Sequence, residues 1–205
     1  MSFAIIIGSV QNYPWLKHER SVQRVRNSAR ACIKKDRFNQ LHRILKPLIK
    51  KGNPEALYLA AGFSRPMETF EEYERRYVDY IQRAAAKEYP PALYVLGFYY
   101  DMGDAAPVIP QDKIKAAQMF KRGAELKHAH CQHPHAEALL WGAPGINIDI
   151  PTGLAFLRDS ADAKFKGSLQ LLAEFYEKGD FGLPVDSAKA AELRTAAEKD
   201  DVIDY

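Results

Sequence analysis

The 205-residue sequence has little of what marks the common catalytic and secreted classes. Its two cysteines, Cys32 and Cys131, stand 99 residues apart, which fits neither a disulfide framework nor a redox or zinc pair. No stretch approaches the roughly 18 apolar residues a helix needs to cross a bilayer. There is no G-x-S-x-G, no glycine-rich phosphate loop, no H-E-x-x-H and no cysteine with a plausible histidine partner. The chain is therefore expected to be non-enzymatic and to carry no cofactor.

Acidic residues are scarce at one end only. Residues 1–53 hold 12 Lys/Arg against 2 Asp/Glu, and the remainder hold 17 against 24, so a net charge of +3 conceals segments of +10 and −7. A basic arm can contact nucleic acid or an anionic surface, or it can be a solvated face. Arg20, Arg24, Arg26, Arg30, Lys34 and Lys35 would carry the first reading; lacking a base-reading motif, the segment reads better as the second. Phe3 to Val10 is apolar but has no basic start and no small-x-small end, so it reads as a packed segment of a cytoplasmic protein rather than a leader.

What is present is a repeat. Ala92, Leu96, Gly97, Tyr100 and Gly103 recur as Ser168, Leu172, Ala173, Tyr176 and Gly179, 76 residues on. Weaker copies begin at Ala56 and Cys131, so the starts fall at 56, 92, 131 and 168. Each is followed by a turn and a second helical segment, as in Asp112, Lys115, Ala116, Met119 and Phe120 and again from Asp186. Gly142 to Asp149 and Gly179 to Asp186 share glycine, apolar residue and aspartate in register. The glycine suits a helix C-cap and the aspartate a helix N-cap. Leu41, Ile44, Leu45, Leu48 and Ile49 place one more helix before Gly52, and Val22, Val25, Ala29 and Cys32 another upstream.

The pattern A-x3-L-G-x2-Y-x2-G, a glycine-bearing turn, then D-x2-K-A resembles the Sel1-like repeat, a relative of the tetratricopeptide repeat. The resemblance spans residues 54–199 and implies an all-α solenoid of four to five stacked antiparallel helix pairs, about nine helices. Residues 1–53 would form a basic segment and helical cap pair, with the array over 54–205. Residues 131–142 depart from the pattern: Pro134 predicts a short or bent helix, and His135 stands where leucine belongs.

A helical wheel then separates packing from free surface. On the Ala92 helix, Ala92, Leu96, Tyr99, Tyr100 and Gly103 share the core face at 100° per residue. The opposite face, which lines the concave groove in tetratricopeptide-like arrays, carries Tyr58, Gly62, Arg65 and Pro66 in the first copy. It carries Tyr94, Phe98, Asp101 and Met102 in the second, His133, Glu137, Leu140 and Trp141 in the third, and Gln170, Glu174, Glu177 and Lys178 in the fourth. The aromatic stripe suits a protein-binding surface, and the acids Asp101, Glu137, Glu174 and Glu177 call for a basic partner surface. The resemblance implies an adaptor or an immunity protein that neutralises a toxin; the charge asymmetry leaves a monomer or a weak dimer as the expected state. His128 to His135 gathers four histidines and one cysteine. It reads as an inter-repeat turn with exposed side chains rather than a metal site, since no zinc spacing is present. Glu68, Glu71, Glu72 and Glu74, near Arg75 and Arg76, read as a solvated helix start.

Overall fold

The computed structural model describes residues 38–199 apart from 66 and 104–107. The basic stripe, Phe3 to Val10 and Pro66 lie outside the described residues. Nine α-helices occur among those described: α1 Phe38–Lys50, α2 Pro54–Ala61, α3 Phe70–Ala85, α4 Pro90–Met102, α5 Lys113–Glu125, α6 Ala129–Trp141, α7 Ile150–Asp162, α8 Lys166–Lys178 and α9 Ser187–Lys199. Apart from a single-residue bridge between Ala143 and Ile146 there is no β-pairing among them. The fold is an all-α solenoid of antiparallel helix pairs. The described residues divide into two compact units, one up to Ala92 and one from Leu93 onward.

In the first unit the α1 stripe buries Leu41, Leu45 and Ile49, and α2 buries Ala56, Leu57 and Ala60. Gly52 takes the left-handed conformation that ends α1, and the Asn53 side chain accepts from the Ala56 amide to start α2. α3 opens with a reciprocal capping box between Thr69 and Glu72. The solvated start expected here holds for Glu71, Glu72, Glu74 and Arg75, which are exposed, but not for Glu68 and Arg76. Those two form a buried ion pair at 2.6 Å with side chains 7% and 8% exposed. Arg76 also donates to the carbonyls of Ala60 and Phe63 at 2.7 Å. The guanidinium thus satisfies carbonyls at the end of α2 that no intrahelical amide can reach.

In the second unit three aspartates cap as the turn motif predicts. Asp112, Asp149 and Asp186 accept from the amides of Lys115, Thr152 and Lys189. The same aspartates donate their backbone N–H to Tyr100, Leu139 and Tyr176 of the preceding helix, which fixes each hairpin. Hydrophobic burial then holds the hairpins together: Leu140, Leu154, Leu157, Leu169, Leu172 and Phe175 form one cluster, each contributing about 1.5–3 kcal/mol. Where one hairpin meets the next, small residues recur. A Cβ on Gly123 would stand 2.2 Å from Cys131 Sγ. At the next junction Ser168 donates to Ser160 at 2.7 Å.

The histidine tract departs from expectation. It is not an exposed turn: His130, Cys131, His133 and His135 lie on α6, which runs its full 13 residues through Pro134. His128, Cys131, Gln132 and His135 are buried. A proline one and a half turns into a helix removes a single amide hydrogen bond, and packing from α5, α7 and α8 outweighs that loss.

Candidate interaction face

α4 presents the expected stripe. Tyr94, Phe98 and Met102 stand at i, i+4 and i+8; Phe98 is 37% and Met102 56% exposed, and Tyr94 is half-buried. The stripe is pinned from below, because Gly97 leaves room for the Phe120 ring of α5 and Phe98 meets that ring edge-on at 5.4 Å. Tyr94 contacts Phe98 at 4.9 Å and His130 of α6 at 5.3 Å. His130 packs on Phe165 at 4.7 Å, and Phe165 meets His133 at 5.1 Å. Phe98, Tyr94, His130, Phe165 and His133 therefore form one continuous aromatic row across α4, α6 and the start of α8. Burial pushes the Tyr94 phenol up to about 12 and holds the imidazoles uncharged, with His133 lowered to about 4 and His128 to about 3.

Trp141 at the end of α6 is 51% exposed and leans on Phe175 and Phe181. Leu140, assigned to the same face by the wheel, is buried in the core instead. Tyr58 belongs to the first unit, half-buried with its ring 5.4 Å from that of Tyr89. Arg65, also in that unit, donates to the Tyr80 hydroxyl at 2.6 Å.

The acids of this face are mostly spoken for. Asp101 pairs with Lys113 at 3.0 Å, Glu174 with Lys178 at 3.8 Å, and Glu177 with Arg194. Glu137 differs. Its one ion-pair partner among the described residues is His133, with Nε2 3.7 Å from Oε1, and burial raises the Glu137 carboxyl above its usual range. The wheel could group these four carboxylates but not separate them, because three of the counter-charges come from i+4, 12 and 17 residues away.

Sequence reasoning missed the polar chain beside Glu137. Ser160 donates to the Ala129 carbonyl at 2.8 Å, Ser168 donates to Ser160, and His133 Nδ1 lies 3.0 Å from Ser168 Oγ. Among the described residues no group of three or more His, Cys, Asp or Glu side chains could hold a metal ion. The imidazoles of His130 and His133 pack against Phe165 rather than converging on one point.

Thirteen-residue helices paired through aspartate-capped hairpins, with an aromatic row left partly open, define a helical-repeat fold. The family model described as Sel1 repeat matches residues 90–128 and 168–201, the two well-kept copies. These two stretches are similar to the Sel1 repeat, and together they make up less than half of the chain. Among solved structures it is similar to a protective antigen present in uropathogenic Escherichia coli strains displaying an SLR fold. That match has TM-score 0.60 and 24% identity over 76% of this chain and 32% of the other. A Sel1 repeat protein from Oxalobacter formigenes matches with TM-score 0.61 and 22% identity over 78% of this chain and 44% of the other. This chain thus spans less than half of either structure, and the likeness concerns the fold. No curated protein matches the sequence.

Proposed function

We propose that the second unit binds a partner polypeptide along the face of Phe98, Tyr94, Met102, His130 and Phe165. Tyr94, Phe98 and Met102 occupy the positions that line the concave groove in tetratricopeptide-like arrays. The observation that carries this reading is an aromatic stripe partly open to solvent yet held rigidly from beneath by Phe120. Rigid aromatic anchors lose little conformational freedom on binding and supply most of the energy at protein interfaces. Electrostatics support a narrower basic contact than four acids would suggest, since of Asp101, Glu137, Glu174 and Glu177 only Glu137 lacks a Lys or Arg partner among the described residues.

The test is affinity purification of the chain from its native host, identification of stoichiometric companions, and titration of the purified companion. A Tyr94→Ala/Phe98→Ala double variant should lose more than about 2 kcal/mol of binding; unchanged affinity in a folded variant refutes this face. The companion's identity then assigns the narrower role: a toxin domain marks an immunity protein, and an assembly component marks an adaptor. Nucleic-acid binding through residues 1–53 would instead reveal itself by steep weakening between low and moderate salt.

A further inference from the structure

The hydroxyl chain beside Glu137 fixes a tautomer. The Ala129 carbonyl can only accept, so the Ser160 proton is committed to it. Ser168 must then spend its own proton on Ser160. Ser168 Oγ therefore receives the third bond, and His133 donates to it from Nδ1. With the ring uncharged, Nε2 is left as a bare lone pair. It faces the Glu137 carboxylate at 3.7 Å, so two acceptors confront each other with no hydrogen between them. A side chain at residue 167 would crowd this nitrogen, since a Cβ there would lie 3.3 Å from Nε2; glycine leaves the space open. Phe165 supplies a ring surface beside His133.

We propose that His133 Nε2 and the Glu137 carboxylate together receive an arginine side chain of the partner polypeptide. The proposal rests on the reading of this face as the partner-binding surface. A guanidinium carries several N–H donors in one plane, enough to serve both acceptors at once, and its charge matches the unpaired carboxylate. Its flat face packs on an aromatic ring. Asp101, Glu174 and Glu177 cannot serve the same role without first giving up Lys113, Lys178 or Arg194.

The experiment is NMR titration of the full chain, nitrogen-15 labelled, with three blocked tripeptides: Gly-Arg-Gly, Gly-citrulline-Gly and Gly-Trp-Gly. Citrulline keeps the shape of arginine and loses its charge. The arginine peptide is expected to shift Glu137, His133 and Phe165 and to bind about 10-fold more tightly than the citrulline peptide. Glu137→Gln should erase that preference, and Glu177→Gln should leave it intact. Long-range nitrogen–proton spectra of the free protein should show His133 protonated at Nδ1. Protonation at Nε2, or an arginine preference that survives Glu137→Gln, overturns the assignment. If the tryptophan peptide perturbs Tyr94 and Phe98 while the arginine peptide passes Glu137 by, the receptor is refuted and the binding face stands. If neither peptide perturbs the face, both readings fall.

Discussion

Burying neutral imidazoles makes the second unit acid-sensitive, by an amount the structure allows one to work out. His128 is lowered from 6.5 to about 3 and His133 from 6.5 to about 4, both through burial. Above pH 6.5 these rings are neutral whether the chain is folded or not, and they cost nothing. As the pH falls below 6.5 the unfolded chain takes up protons that the folded chain refuses, so stability falls until the folded pKa values are reached. At pH 5 each ring accounts for about 2 kcal/mol, hence about 4 kcal/mol together. His130 and His135 are lowered too and act in the same direction. Against a typical total of about 5–15 kcal/mol this is a large fraction. The assay is urea unfolding from pH 8 to pH 5, followed by fluorescence in a Trp15→Phe background so that Trp141 alone reports. Between pH 6 and pH 5 the unfolding free energy should drop by about 2–3 kcal/mol. His133→Asn, whose amide can still donate to Ser168, should remove about one proton's share of that slope. Stability constant to within about 0.5 kcal/mol from pH 8 to pH 5 would refute the assignment of neutral buried rings.

Two further outcomes test packing. Gly123→Ala would place a methyl 2.2 Å from Cys131 Sγ and 2.7 Å from its Cβ, so chemical unfolding should show a loss of about 2–3 kcal/mol; a neutral result would mean α5 and α6 do not approach this closely. In the first unit, Arg76→Met should cost about 3–5 kcal/mol by stranding the buried Glu68 carboxylate. Glu68 is held down to about 2 by the Arg76 hydrogen bond. That contribution is present above pH 4.5 and is lost as the pH falls toward 2, a window below that of the histidines. Parent and Arg76→Met unfolding curves should converge there.

The repeat was legible because size and polarity recur at fixed offsets. The sequence starts at 56, 92, 131 and 168 each fall two residues inside an observed helix beginning at 54, 90, 129 and 166. The aspartate caps were legible for the same reason. The connections from each second helix back to the next first helix were not, since their left-handed residues are Glu88, Lys127 and Lys164 rather than glycine. There the chain tolerates the strain because the following amides find carbonyls in the preceding turn, as Tyr89 does on Ala84, His128 on Gly123 and Phe165 on Ser160. Of the binding face, the i, i+4, i+8 stripe on α4 followed from the wheel. Phe165, His130 and the serine chain did not, because they reach the face from three helices and up to 35 residues apart. A signal was present all the same. Gly123, Ser160 and Ala197 occupy one position of successive second helices, and Cys131 and Ser168 one position of successive first helices; two serines facing each other across such a seam call for a shared hydrogen bond.

The third repeat departs furthest from its siblings, and the departures share a cost. Leucine at residue 135, as at Leu96 and Leu172, would fill the site without polar atoms; His135 instead buries Nδ1 with no hydrogen-bond partner among the described residues, a loss of about 1–3 kcal/mol. His128, His130 and His133 add the acid sensitivity worked out above, and Pro134 removes a helical hydrogen bond. A chain selected for stability alone would shed these features, since each has a simple apolar or helix-forming replacement. The return is visible on one side of α6 only. His130, His133 and Glu137 belong to the aromatic row and its acceptor pair, whereas His135 lies against Phe156 at 5.0 Å, away from that row. On the proposed reading, partner recognition would account for His130, His133 and Glu137 of this repeat and leave His135 outside its reach, so His135→Leu should stabilise the fold while leaving the arginine preference of the face unchanged.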